Sequence, residues 1–140
     1  MARRDASHLY GPEHVRSYRE TDGDLGHDWK GTQTLLLTTA GRRSGEPRTT
    51  PLIYGRRGDD YLVVASKGGA DEPPDWYVNL TERPEVEVQV LGDRFRARAR
   101  TAAPDEKPDA WREMVGHWPA YEQYQRETDR EIPVVVLERQ

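Results

Sequence analysis

The sequence predicts an α+β fold that is mainly β, a small barrel with helices at its periphery. Three observations support this. Short strand-like runs follow one another between residues 34 and 100, and glycine-containing turns separate several of them. Helical patterning comes late, at residues 105–128. It leads back to one last apolar run, residues 132–137, expected to be central or well covered in the sheet. A chain of 140 residues suits one compact domain around one core.

Taken in order, residues 1–11 are polar and are expected to be loose. Residues 12–20 read as a short helix, with Pro12 in its first turn and Val15 and Tyr18 on one face. A Gly- and Asp-rich turn follows, and His27, Asp28 and Trp29 read as a loop into the first strand rather than as an acid–base group. Residues 1–29 thus stand as an N-terminal segment and residues 30–140 as the barrel domain. Strands are expected at 34–39 and 49–54. Pro51 cannot donate to a ladder, so the second must be an edge, a bulge or a bend. Residues 55–60 read as a turn and 61–66 as a third strand. Residues 75–80 read as a short helix capped by Asp75. Val86, Val88 and Val90 alternate with polar residues, as in a half-buried strand. In the next strand Phe95, Ala97 and Ala99 face one way and Arg94, Arg96, Arg98 and Arg100 the other. Those arginines read as a solvated face paired with Glu85 and Glu87. Residues 105–118 read as a helix with Pro108 in its first turn and a core stripe of Trp111, Met114, Val115 and Trp118. Pro119 restarts a second helical segment, with Tyr121 and Tyr124 on one face.

Composition narrows the function. The net charge is −4 and no basic sheet face carries clustered aromatics, so no nucleic-acid partner is expected. The absence of cysteine excludes disulfides, thiolate nucleophiles and Cys-based metal sites. The four histidines show no H-x-x-x-H pairing, so no metal site is expected. The apolar runs are too short to span a bilayer and no signal-peptide core is visible, so the expectation is a soluble, cytoplasmic protein.

The charge is unevenly spread. Between Gly41 and Gly58, Arg42, Arg43, Arg48, Arg56 and Arg57 face a single acid, Glu46. A basic hairpin on an acidic chain suits an anionic small molecule bearing phosphate or carboxylate groups. Lys67-Gly68-Gly69 follows the third strand directly, and adjacent glycines let backbone N–H groups approach a ligand. Neither stretch has the spacing of a Rossmann or Walker fingerprint. Trp76, Tyr77, Trp118, Tyr121 and Tyr124 are first of all core candidates, one or two of which could wall a flat heterocycle.

Several separated motifs, in register over about residues 30–138, resemble the deazaflavin-dependent nitroreductase and quinone reductase family. They are Leu37-Thr38-Thr39-Ala40-Gly41-Arg42-Arg43-Ser44-Gly45, Pro47-Arg48-Thr49-Thr50-Pro51-Leu52, Ala65-Ser66-Lys67-Gly68-Gly69 and Trp76-Tyr77-x-Asn79-Leu80. The tail Tyr121-x-x-Tyr124-Gln125-x-x-Thr128-x-Arg130-x-Ile132-Pro133-Val134-Val135 completes the set. The resemblance implies a split β-barrel, like those that bind FMN, holding coenzyme F420, a deazaflavin with a phosphate and an oligoglutamate tail. It implies that Arg42, Arg43 and Arg48 meet phosphate and tail, and that Ser66, Lys67, Gly68 and Gly69 lie along phosphate and ring. Pro51, Trp76 and Asn79 match further cofactor-side positions, and Tyr121 and Tyr124 the substrate side.

The implied reaction is hydride transfer from the reduced coenzyme to a quinone or nitro compound. Ser66, Tyr121 and Tyr124 are the candidates to stabilise or protonate the resulting oxyanion. A lipid-soluble quinone would favour contact with the inner face of the plasma membrane. Two alternatives stand beside this: a deazaflavin-binding module without efficient turnover, and an FMN-binding split barrel.

Overall fold

The computed structural model describes residues 3–140. The first helix, α1, is Gly11–Thr21, one residue longer at each end than residues 12–20. Then come β1 (Asp28–Trp29), β2 (Thr32–Ala40), β3 (Pro47–Ile53), β4 (Gly55–Arg57) and β5 (Asp60–Val64). A 3-10 turn, Lys67–Gly69, leads to α2 (Asp75–Glu82), β6 (Glu85–Val90) and β7 (Asp93–Thr101). The chain ends with α3 (Lys107–His117), α4 (Ala120–Arg126) and β8 (Val134–Arg139).

The strands form one antiparallel sheet in the order β1-β2-β6-β7-β8-β5-β4, with β3 also paired to β2. Among the described residues β3 pairs only with β2, so the strand containing Pro51 is an edge, as its missing N–H requires. β4 pairs with β5 and is the other edge. Only Tyr54 separates the two edge strands in sequence, yet they do not pair. The sheet curls until its edges meet at a corner and stay apart, which is the expected split barrel.

Period-two alternation decides what lies inside. Leu35, Leu37, Val63, Val88, Val135 and Leu137 fill the barrel. Leu62, Val64, Val134 and Val136 point the other way and pack under α3 and α4 with Ala110, Met114 and Tyr121. The near-continuous apolar run of β8 is thus explained, because it is central and covered on both faces. Of the expected helical stripe, Met114 is fully buried, while Trp111, Val115 and Trp118 are partly buried against the same cluster.

Four local readings change. Residues 3–10 are tied down rather than loose: Ala6 N–H donates to Asp28 O at 2.8 Å, and Ala6 and Leu9 are buried. Asp28 and Trp29 are not loop but a short strand opposite Gln33 and Thr32. Residues 55–57 are strand rather than turn, because Gly55 and Arg56 find partners in Leu62 and Tyr61. Asp75 is the first helical residue and not the cap, which is Pro74; its carboxylate still lies in the first turn, where the helix dipole favours it. The arginine face of β7 is only partly paired across the hairpin. Arg98 meets Glu85 at 2.7 Å, whereas Arg94 turns to Asp22 and Arg100 to Glu106. No helix among the described residues is long and apolar enough to cross a membrane.

α1 is bolted to the barrel through Tyr18, fully buried, whose hydroxyl donates to Thr34 O at 3.0 Å and accepts from Leu91 N–H at 2.9 Å. A second buried link runs from Tyr54 through His27 to Asp28, at 2.8 and 3.1 Å. These bonds hold the N-terminal segment against the split between the sheet edges.

Candidate active site

Two clefts meet at that split. The first, about 390 Å³, lies between β3 (Thr50–Ile53) and the end of β5 with its following turn. Pro51, Ser66, Lys67, Gly68 and Trp76 line it together with Tyr121 and Tyr124 on α4. The second cleft, about 430 Å³, lies under the β2–β3 turn and is lined by Arg42, Arg43, Arg48, Trp76 and Asn79. Thr50 and Trp76 belong to both, so the two are neighbouring compartments. Their volumes fall in the range of small-molecule sites. Every residue that the resemblance assigns to cofactor or acceptor lines one or the other except Gly69, whereas Arg56, Arg57 and Tyr77 line neither: Arg56 turns to Tyr61 and Arg57 to Glu106.

The basic compartment is built by the turn. Gly41 N–H donates to Glu46 O at 2.8 Å and Gly45 N–H to Gly41 O at 2.7 Å, folding residues 41–46 tightly between the strands. Gly45 has φ +75°, which a side chain would resist. Asn79, buried on α2, accepts from the Arg42 backbone N–H and from its guanidinium at 3.2 and 2.9 Å, and donates to Thr39 Oγ1 at 3.3 Å. Its carbonyl oxygen is therefore committed to holding the turn and orienting Arg42, while one of its two amide N–H groups has no protein partner among the described residues. Arg42 approaches Asp75 at 3.7 Å and Arg48 approaches Glu46 at 3.9 Å, long exposed pairs that cost little to break. Arg43 makes no ion pair among the described residues. The compartment offers three guanidinium groups against one lining carboxylate, Asp75.

The other compartment is mostly apolar and carries hydroxyls. Tyr121 is 6% exposed and Ser66 8%, and neither hydroxyl has a partner among the described residues. Burial pushes the Tyr121 phenol up, with Tyr124 beside it adding to the effect, so it stays protonated and able to donate. Tyr124 OH accepts from the Trp118 indole at 3.4 Å. Gly68, φ +63°, faces open space. Gly69, φ +87°, is pressed against α4, where a Cβ would stand 3.0 Å from Tyr124 O. The second glycine thus serves packing against α4 and lines neither cleft.

Sequence reasoning missed the N-terminal wall. Leu9, Tyr10, Gly11, His14 and Trp29 all line the hydroxyl-bearing compartment. Trp29 lies 5.9 Å from Trp118, and Lys30 sits over both Tyr10 and Trp29. Burial lowers the His14 pKa against the opposing hydrogen bond to Gly26 O at 2.7 Å, so its ring is neutral at pH 7. The one available signal is the presence of Tyr10, Tyr18 and Trp29 in that segment, which carry no pattern that says where it folds back.

The geometry has counterparts. Residues 11–139 match the family model described as F420H(2)-dependent quinone reductase. An F420H(2)-dependent quinone reductase of Mycobacterium tuberculosis (strain H37Rv) is 46% identical over 131 residues, covering 90% of this chain and 87% of that protein. A solved structure described as an F420-H2 dependent reductase superposes with a TM-score of 0.70 at 38% identity, over 75% of this chain and 93% of that one. Another, described as a domain-swapped dimer, gives 0.73 at 36% identity, over 89% and 96%. A family match over nearly the whole chain, with close relatives on the same barrel, makes this protein a member of the F420H(2)-dependent quinone reductase family, whose members are F420-dependent oxidoreductases.

Proposed function

We propose that this chain binds coenzyme F420 across the two compartments and reduces a quinone in the hydroxyl-bearing one. The observation that carries the reading is the adjacency of three guanidinium groups to an apolar cleft with two uncommitted hydroxyls, joined through Thr50 and Trp76. Arg42, Arg43 and Arg48 match an anionic phosphate and tail in sign. Pro51, Trp76, Lys67 and Gly68 form the walls for a flat ring. The reduced coenzyme, when bound, supplies a hydride.

The protein's part is positioning and charge stabilisation. Tyr121 and Ser66 donate hydrogen bonds to the acceptor oxygen that gains charge as hydride arrives, until a proton completes the quinol. Tyr124 stands beside Tyr121, ring centroids 6.1 Å apart, and walls the acceptor. Trp118 and the N-terminal aromatics exclude water. Nitro compounds would use the same hydroxyls, and a lipid-soluble quinone would bring the cleft mouth to a membrane surface.

The test is anaerobic mixing of protein, reduced coenzyme F420 and menadione, followed by the return of the oxidised coenzyme's absorbance. Catalytic reoxidation, weakened by Arg43→Ala, is expected. Tight binding without reoxidation would leave only a deazaflavin-binding module. Absence of binding, or a yellow protein carrying FMN, would overturn the reading.

A further inference from the structure

The wall formed by Ser66, Lys67 and Gly68 is not stable by its own geometry. Lys67, Gly68 and Gly69 have φ of +47°, +63° and +87°, three left-handed residues in a row, one of them a lysine. Such backbone persists only where its surroundings over-determine it. Within the turn, Gly69 N–H donates to Ser66 O at 3.0 Å and Ala70 N–H to Lys67 O at 3.2 Å, which fixes little. Ser66, Lys67 and Gly68 all line the hydroxyl-bearing cleft, so its wall depends on what else holds the turn.

What holds this backbone is a side chain from elsewhere. Arg130, between α4 and β8, donates from Nε to Ala70 O at 2.8 Å and from Nη2 to Ser66 O at 2.9 Å and Ala65 O at 3.2 Å. One planar guanidinium thus spans both ends of the left-handed stretch. Its own position is fixed. Arg130 N–H donates to Thr128 Oγ1 at 3.3 Å, Thr128 Oγ1 donates to Asp71 Oδ1 at 2.8 Å, and Gln125 Nε2 donates to Arg130 O at 2.8 Å. Gln125 belongs to α4, the helix that carries Tyr121 and Tyr124.

We infer that Arg130 is a positioning residue that sets Ser66, Lys67 and Gly68 against the same cleft that Tyr121 lines. It touches neither compartment. Its role is to keep the turn and α4 in register by tying one to the other. The consequence for coenzyme F420 rests on the function proposed above; the backbone consequence does not.

Arg130→Ala and Arg130→Lys test it. Lysine keeps the charge but cannot reach three carbonyls from one plane. In the free protein, hydrogen–deuterium exchange of residues 65–71 is expected to rise about tenfold or more in Arg130→Ala while β2 and β8 stay protected. Arg130→Lys should fall between it and the wild type. Calorimetry with oxidised coenzyme F420 should show affinity lower by about tenfold to a hundredfold, in the same order. If Arg130→Ala does not fold, Arg130→Lys carries both measurements. Wild-type exchange in 65–71, a uniform rise over the whole chain, or full rescue by lysine overturns the inference. Failure of the wild type to bind the coenzyme overturns the function instead and leaves the exchange result to judge Arg130.

Discussion

Two adjacent glycines in the Lys67–Gly69 turn should respond very differently to alanine. Both have left-handed φ, +63° at Gly68 and +87° at Gly69. An L-residue there costs about 1–2 kcal/mol. A Cβ on Gly68 meets nothing within 4 Å, so the conformational cost is the whole cost. A Cβ on Gly69 would stand 3.0 Å from Tyr124 O and 3.1 Å from its Cα, with Glu127 Oε2 at 2.8 Å. The carboxylate can swing away, but the α4 backbone cannot. Overpacking against fixed atoms adds about 1–3 kcal/mol. Gly69→Ala should therefore lose about 2–5 kcal/mol, against about 1–2 for Gly68→Ala. For a domain of this size each kcal/mol lowers Tm by about 3–5 °C. Urea unfolding followed by tryptophan fluorescence measures both, with unchanged m confirming that only the midpoint moved. Gly68→Ala should also weaken coenzyme binding, because its methyl group enters the cleft. Equal losses for the two variants, or a Gly69→Ala protein as stable as Gly68→Ala, would refute the argument that the second glycine is there for α4.

Three further outcomes are expected. Tyr121→Phe removes a hydroxyl that bonds to nothing in the protein, so stability should stay within about 0.5 kcal/mol while single-turnover quinone reduction slows about 10²-fold. The double variant Arg43→Ala/Arg48→Ala should weaken coenzyme F420 binding and flatten its salt dependence, read by calorimetry at low and at physiological ionic strength, since exposed charges are the ones salt screens. Stability should fall on acidification from pH 7.5 to 5.5. Burial lowers the pKa of His14 and His27 below their ordinary 6.5, so the unfolded chain takes up protons in this window that the folded one refuses. Their contribution is complete above about 6.5 and is lost as pH falls. The depressed carboxyls Asp93, Glu113 and Glu131 add losses only at lower pH, below their ordinary values. A urea midpoint that is flat or rises between pH 7.5 and 5.5 would contradict the burial of the two imidazoles.

Much was decided by local pattern alone. Alternation in residues 86–90 and 94–100, glycine-bearing turns and the edge implied by Pro51 are short-range consequences of pleat geometry and missing donors, so the chain itself prescribes strands, hairpins and the open edge of the barrel. The excess of arginine between residues 42 and 57 is likewise visible without any fold, but only the structure separates Arg42, Arg43 and Arg48, which line one compartment, from Arg56 and Arg57, which turn to Tyr61 and Glu106. Tertiary structure decided the rest. It alone shows Asn79 bound to Arg42, Gly69 packed on α4 and Arg130 gripping residues 65–70, because each depends on a partner dozens of residues away. It alone brings His14 and Trp29 to the cleft, where burial and long-range hydrogen bonds outweigh the weak local preferences of a polar N-terminal segment.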